Sequence, residues 1–345
     1  MVDNKKALLS VNNLKTYFPT DEGVVKAVDG VTFKIDPGKT LGVVGESGCG
    51  KSTVGRSLLQ ILDNPGKIID GEILFQSDAA GGLIDLAKEK PGSSLIRQVR
   101  GGEIALVFQE PMTSFSPVHT VGNQVVEAIQ LHLDVSKKNA MARAEELFDL
   151  VGIPNPRSRL NEYAYQLSGG LRQRAMIAMA LSADPKLLIA DEPTTALDVT
   201  TQAQILELLK TLQKQNNMAI LYITHNLGVI AEVADDVVVM YLGKAVEVGN
   251  VDDIFHDPQH PYTRGLLKSI PSIYTEGEGR LPSIRGTIPH PFNRPSGCTF
   301  RTRCPDYIEG ECNTSIPELQ TIGRTDRMVS CFKVHPKKQE VAANG

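Results

Sequence analysis

Gly45-Glu46-Ser47-Gly48-Cys49-Gly50-Lys51-Ser52, followed by Thr53, has the spacing G-x-x-x-x-G-K-[ST]. The chemistry of that spacing is phosphate binding. Glycines let the backbone curl until successive N–H groups face phosphate oxygens, and a helix starting near Lys51 adds its positive end. Lys51 is expected to reach the β- and γ-phosphates and Ser52 to ligate Mg²⁺, with Gly45 to Thr53 as the cradle. Cys49 reads as a small spacer in that loop, not a nucleophile. Leu187-Leu188-Ile189-Ala190 runs straight into Asp191-Glu192. A buried strand ending there presents Asp191 to the same Mg²⁺ and places Glu192 to polarise an attacking water. In Leu167-Ser168-Gly169-Gly170-Leu171-Arg172-Gln173-Arg174, Ser168 is a good helix N-cap and the glycines free their N–H groups. This is a second anion cradle. One nucleotide needs only one, so the second makes sense if it serves a nucleotide held by another chain.

A further grouping lies near the end of the chain. Cys298, Cys304, Cys312 and Cys331 are four of its five cysteines. Four thiolates can hold Zn²⁺ or a [4Fe–4S] cluster; the C-x2-C pairs of common zinc modules are missing, and four buried free thiols is the third reading. His256, His260, His290 and His335 are nearby but read as solvated loop histidines.

These side chains need strand ends and helix starts to hold them. Val31–Ile35 alternates like a half-exposed strand, and Thr40–Val44 reads as a buried one leading into a helix over Lys51–Ile61. Further strands are expected at Glu103–Phe108, Lys186–Ala190, Ala219–Thr224 and Asp236–Met240. Helices fit Asn123–His132, Lys138–Val151, Leu171–Leu181 and Thr201–Gln215; in the last, Ile205, Leu208, Leu209 and Leu212 share one face. Strands interleaved with helices predict an α/β fold with a mostly parallel core sheet. The strand-free stretch over 110–183 predicts an inserted helical subdomain. The expected division is 1–255 for this domain and 256–345 for a small irregular region. There Pro258, Pro261, Pro271, Pro282, Pro289, Pro291 and Pro295 break any long pattern, so a staple is expected. The last ten residues read as frayed.

Composition narrows the function classes. In 345 residues, 36 Lys+Arg against 40 Asp+Glu give a net charge of −4, with no long basic block, which disfavours a nucleic-acid-coating protein. Aromatics are 5% and Trp is absent, leaving little to stack bases. No apolar run approaches the roughly 20 residues of a spanning helix, and Met1 to Lys6 lacks a secretory pattern. A cytosolic protein, attached to any membrane through partners, is expected; disulfides are then unlikely.

The Leu167–Gln173 run resembles the signature of ABC ATPases, and that family's other motifs follow in order over about residues 8–250. Gln109, after Ala105-Leu106-Val107-Phe108, is similar to the Q-loop glutamine; Ala196-Leu197-Asp198 to the D-loop; His225 to the switch histidine; and Tyr17 to the aromatic that stacks on adenine, with Phe18 adjacent. Asn226 stands where many members carry Asp. The resemblance implies a P-loop NTPase fold and two such subunits closing head to tail on two Mg–ATP. Ser168, Gly169, Gly170 and Asp198 would then face the partner's nucleotide. It implies Glu192 as base, Gln109 near Mg²⁺ and water, and His225 on the γ-phosphate. Pro258-Gln259-His260-Pro261-Tyr262-Thr263-Arg264 with Leu266-Leu267, the Gly297-Cys298 to Cys304-Pro305 stretch, and Ile189 to Thr200 resemble dipeptide/oligopeptide permease ATPases. This implies an ATPase subunit of a peptide importer on the cytoplasmic face of the inner membrane. Its partners would be two transmembrane permease subunits, a second and different ATPase chain, and an extracytoplasmic substrate-binding protein, with no nucleic acid. The permease contact would run over Gln109 to Pro117, including Glu110, Pro111 and Met112. The four cysteines would carry [4Fe–4S], with zinc as the alternative. An importer of oligosaccharide or nickel shares the subunit type. A soluble repair or translation ATPase fits poorly, because Lys51 to Ser168 leaves no room for a long coiled coil and one chain holds one phosphate loop.

Overall fold

The computed structural model describes residues 7–109, 114–195, 197–270, 283–323 and 326–336. Glu110, Pro111 and Met112 of the expected permease contact, Ala196, Pro271, Pro282, the Met1–Lys6 start and the end from 337 lie outside them.

Two sheets carry the fold. Strands β1 (Leu9–Thr20), β2 (Gly23–Ile35), β4 (Lys67–Ser77) and β5 (Gly82–Asp85) form an antiparallel sheet in the order β2-β1-β4-β5. Among the described residues the larger sheet has eight strands. Its centre is β6 (Ile104–Val107), β7 (Leu187–Asp191), β8 (Ala219–Ile223), β3 (Thr40–Val44) and β9 (Asp236–Tyr241), all parallel. Beyond β9, strands β10 (Lys244–Asn250), β12 (Met328–Val329) and β11 (Gln320–Thr321) continue it antiparallel. The alternation of side chains along a strand splits the core in two. Leu41, Val43, Leu187 and Ile189 pack toward the antiparallel sheet, whereas Val44, Leu188 and Ala190 pack toward the helices on the other face.

Helix α1 (Lys51–Leu58) follows β3 and sits between the sheets; α2 (Ser94–Gly102) precedes β6 and breaks from helical geometry at Arg100 and Gly101. Between β6 and β7 the described residues form only helices and one isolated bridge: α3 (Val121–His132), α4 (Lys137–Leu150), α5 (Pro156–Arg159) and α6 (Gly169–Ala180). Then come α7 (Val199–Asn216), α8 (Leu227–Val233), α9 (Val251–His256) and α10 (Pro261–Lys268). Among the described residues no helix is long and apolar enough to cross a membrane.

Three expectations change. Helix α1 stops at Leu58 because Gln60 takes a left-handed φ of 50°, so it does not reach Ile61. On α7 the buried face is Ile205, Leu206, Leu209 and Leu212, with Leu208 only partly buried. The third is His260, which is buried and caps α10 where a solvated loop histidine is expected. The described residues after 256 are fastened to the rest of the chain by packing and hydrogen bonds. Tyr262 and Phe300 are almost fully buried against Tyr241, with ring centroids 4.7 Å (Tyr241–Tyr262), 5.2 Å (Tyr241–Phe300) and 5.4 Å (Tyr262–Phe300) apart. Buried Glu247 accepts from the backbone N–H groups of Gln259 and His260 and pairs with Arg327 at 3.0 Å. No group of three or more His, Cys, Asp or Glu among the described residues stands as a ready metal site.

Candidate active site

All four loops that could do chemistry leave the carboxyl ends of parallel strands, where α/β sheets bind ligands. The phosphate loop leaves β3, Gln109 follows β6, Glu192 follows β7 and His225 follows β8. The loop's tight path needs glycine at particular places. Gly45 has φ 151° and an added Cβ would lie 2.2 Å from the Met240 carbonyl; Gly50 has φ 99° and its Cβ would meet the Ala27 carbonyl at 2.0 Å. Gly50 is also the left-handed N-cap that starts α1. Lys51 is buried and donates to the Gly45 and Glu46 carbonyls at 2.8 and 3.1 Å. Cys49 is buried, and burial pushes its thiol up, which suits a spacer and not a nucleophile.

Ser52 Oγ donates to Asp191 Oδ1 at 2.9 Å, so the two oxygens expected on Mg²⁺ stand together. Burial raises the Asp191 carboxyl above its ordinary value, with Glu192 adding to it and Ser52, Arg56 and Lys51 opposing. A divalent cation would favour the charged carboxylate, and a hydroxyl beside a carboxylate oxygen is the donor set a hard cation takes. Glu192 is the hub of the site. Gln109 Nε2 donates to Glu192 Oε2 at 3.1 Å, Thr195 Oγ1 donates to the same oxygen at 2.9 Å, and His225 Nδ1 lies 3.1 Å from Oε1. Glu192 itself holds a left-handed φ of 47°, with its N–H donated to the Ile223 carbonyl on β8. A non-glycine residue held there stores backbone strain, as functional positions often do.

Two adjoining cavities open on this loop, of about 420 and 220 Å³, sharing Ser52, Thr53 and Gln109. The larger is also lined by Phe18, Arg56 and Asp191; the smaller by Ser47, Gly48, Lys51, Glu192, Pro291 and Arg294. Tyr17 lines neither. Its hydroxyl donates to Asp29 at 2.7 Å, and burial together with that bond pushes its pKa up to about 12. Burial would raise Asp29, but Tyr17, Lys244 and Arg294 hold it below the usual carboxylate range. Tyr17 thus packs and hydrogen-bonds beside Asp29, while Phe18 lines the larger cavity.

Ser168, Gly169 and Gly170 line neither cavity. Ser168 caps α6, accepting from Leu171 N, and Ser168 and Gly169 are exposed, with open space where a Gly169 Cβ would be. Asp198 is exposed too and caps α7, accepting from the Thr201 N–H and hydroxyl at 2.9 and 2.7 Å, bonds that lower its pKa. The second cradle thus faces outward. Sequence reasoning missed Thr195 and Arg294. Thr195 lies three residues beyond Glu192, a spacing that could have flagged it. Arg294 comes from distant chain and left no local signal.

The four clustered thiols are all free, and each of them lies within electrostatic reach of at least two others. The Cys298 N–H donates to the Cys312 carbonyl at 2.8 Å. Burial, then the neighbouring thiols, push Cys298 up to about 11 and Cys304 up to about 12; burial also raises Cys331. Number and type of donor suit a four-sulfur site, although the side chains do not stand as a ready metal nest.

The ABC transporter family model matches residues 28–195, and that of the oligopeptide/dipeptide transporter C-terminal region matches residues 246–312. The oligopeptide transport ATP-binding protein AppD of Bacillus subtilis is 49% identical over 327 residues, covering 94% of this chain and 96% of that one. The dipeptide transport ATP-binding protein DppD of Haemophilus influenzae is 46% identical over 325 residues, covering 94% and 95%. A solved dimer of an ATP-binding cassette in a post-hydrolysis state, bound to ADP and Pi, has a TM-score of 0.62 at 24% identity, covering 70% of this chain and 98% of that one; this likeness is one of fold.

Proposed function

The chain belongs to the ATP-binding subunits of dipeptide and oligopeptide ABC transporters, and from that premise we propose that it hydrolyses ATP to drive peptide import. The observation that carries the reading is the Glu192 carboxylate, held by Gln109, Thr195 and His225 beside a complete phosphate loop. Gly45 to Thr53 bind the phosphates, with Lys51 turning from the loop carbonyls to the β- and γ-oxygens. Phe18 takes the adenine-stacking place that resemblance gives to Tyr17. Ser52, Asp191 and Gln109 would hold Mg²⁺, whose charge offsets that of the phosphates. Glu192 accepts the proton of, or orients, the attacking water; Gln109 fixes that water, and His225 donates to the γ-phosphate. Because Ser168, Gly169, Gly170 and Asp198 face outward, they complete the nucleotide site of a second ATPase chain.

The same reading assigns partners and place. The subunit sits on the cytoplasmic face of the inner membrane against two permease subunits, with a homologous second ATPase and an extracytoplasmic binding protein. The division at 255/256 remains the working boundary between the ATPase domain and the peptide-transporter region, with the helical subdomain over 110–183. For Cys298, Cys304, Cys312 and Cys331, a [4Fe–4S] cluster is the reading favoured over zinc; convergence of four free thiols supports it. When bound, the group would cross-link the tail. Anaerobic purification should give brown protein absorbing near about 400 nm; colourless protein with stoichiometric zinc reverses the choice. The function itself is tested by reconstituting the subunit with both permeases and the second ATPase in vesicles. Peptide uptake should need ATP on the subunit's side and stop with Lys51→Ala; uptake indifferent to that change would overturn the reading.

A further inference from the structure

Glu46 puts a carboxylate in the first turn of a loop built for phosphate. An anion there opposes the polyanion it cradles, unless its charge is cancelled. The cancelling group comes from the far end of the chain. Arg303 forks the carboxylate, Nη1 to Oε2 at 2.7 Å and Nη2 to Oε1 at 3.0 Å, with the Arg303 side chain 4% exposed. The guanidinium is itself fixed, since Nε donates to the Arg285 carbonyl at 3.1 Å and the group lies over the Tyr241 ring at 5.8 Å. Beside it, the Tyr262 hydroxyl accepts the Glu46 N–H at 2.9 Å. The Glu46 carbonyl meanwhile accepts from Lys51, the phosphate-reaching lysine. Lys51, Tyr262 and Arg303 therefore hold one residue of the loop, and two of the three belong to the region after residue 256.

We propose that Arg303 is a positioning residue of the nucleotide site: it neutralises Glu46 and sets the phosphate loop from the C-terminal region. The proposal rests on the reading that this loop binds ATP. A bidentate, buried guanidinium is suited to the task, because one lysine charge cannot reproduce the fork. It also gives the tail a direct part in ATP affinity, since Arg303 immediately precedes Cys304.

The test is Mg–ATP binding to the purified full-length chain by titration calorimetry. Arg303→Gln should weaken binding roughly tenfold, because a part-buried carboxylate is left unpaired beside the phosphates. Adding Glu46→Gln to Arg303→Gln should recover most of that loss, and the loss should shrink from ATP to AMP as phosphates are removed. If Arg303→Gln does not fold, Arg303→Lys with and without Glu46→Gln makes the same comparison at smaller amplitude. Wild-type affinity in the single variant overturns the proposal. So does a double variant as weak as the single one, which would mean packing alone was lost. Failure of the underlying reading looks different: wild-type chain, or Lys51→Ala beside it, would show no loop-dependent ATP binding at all.

Discussion

At the scale of single residues, the account turns on charge placed against geometry. Glu192 sits in a left-handed backbone with three polar neighbours on its carboxylate, so its position is fixed before any water arrives. Glu192→Gln keeps size and most hydrogen bonds but removes the basic oxygen. Turnover by the assembled transporter should fall at least about a hundredfold while Mg–ATP affinity stays within about threefold, measured by phosphate release and calorimetry. Near-normal hydrolysis would remove Glu192 from its role. Most of this site was legible in the sequence, because the glycines, Lys51, Ser52, Asp191 and Glu192 sit in short local runs with one chemical use. The partner of Tyr17 was not legible, because strand neighbours look alike in a string; only the pairing with Asp29 shows where its hydroxyl goes.

At the scale of elements, caps and strand ends do the positioning. Asn226 shows how. Its Oδ1 accepts from Gly228 N at 3.0 Å and Val229 N at 3.4 Å, so it is the N-cap of α8, directly behind His225. An Asp at this place would cap equally well, which accounts for the exchange without touching the histidine. Asn226→Ala should cost about 1 kcal/mol in denaturant unfolding, whereas Asn226→Asp should be near neutral. An equal loss from both would show that the cap is not what Asn226 supplies. Elements with one clear period, such as β3 and α7, were readable to within a residue or two. The β1 and β4 strands were not read, because their half-exposed faces mix polar and apolar residues.

At the scale of the whole molecule, the described residues after 256 pack directly onto the ATPase domain, which the proline-rich sequence concealed. Strand β12 pairs with β10, and Tyr262 and Phe300 enter the main core; those contacts span distant chain and leave no local pattern. One titration reports on this union. His260 caps α10 and is fully buried; burial, with Arg264 adding, drives its pKa down to about 3 from 6.5. The folded protein therefore binds fewer protons than the unfolded chain below pH 6.5. Stability is whole above that pH and is lost progressively as pH falls toward 3, by about 2 kcal/mol at pH 5. His260→Asn, which keeps an accepting cap, should flatten the stability slope between pH 7 and 5; an unchanged slope would mean His260 does not carry it. The central claim is that this chain owns the cradle of one ATP and the outward signature of another. The most direct measurement is steady-state ATP hydrolysis by the assembled transporter carrying Ser168→Arg in this chain, paired with Mg–ATP binding by the variant chain alone. The account predicts hydrolysis lowered at least about tenfold with the chain's own ATP binding unchanged. Unchanged hydrolysis, or ATP binding lost along with it, would contradict the sharing of sites.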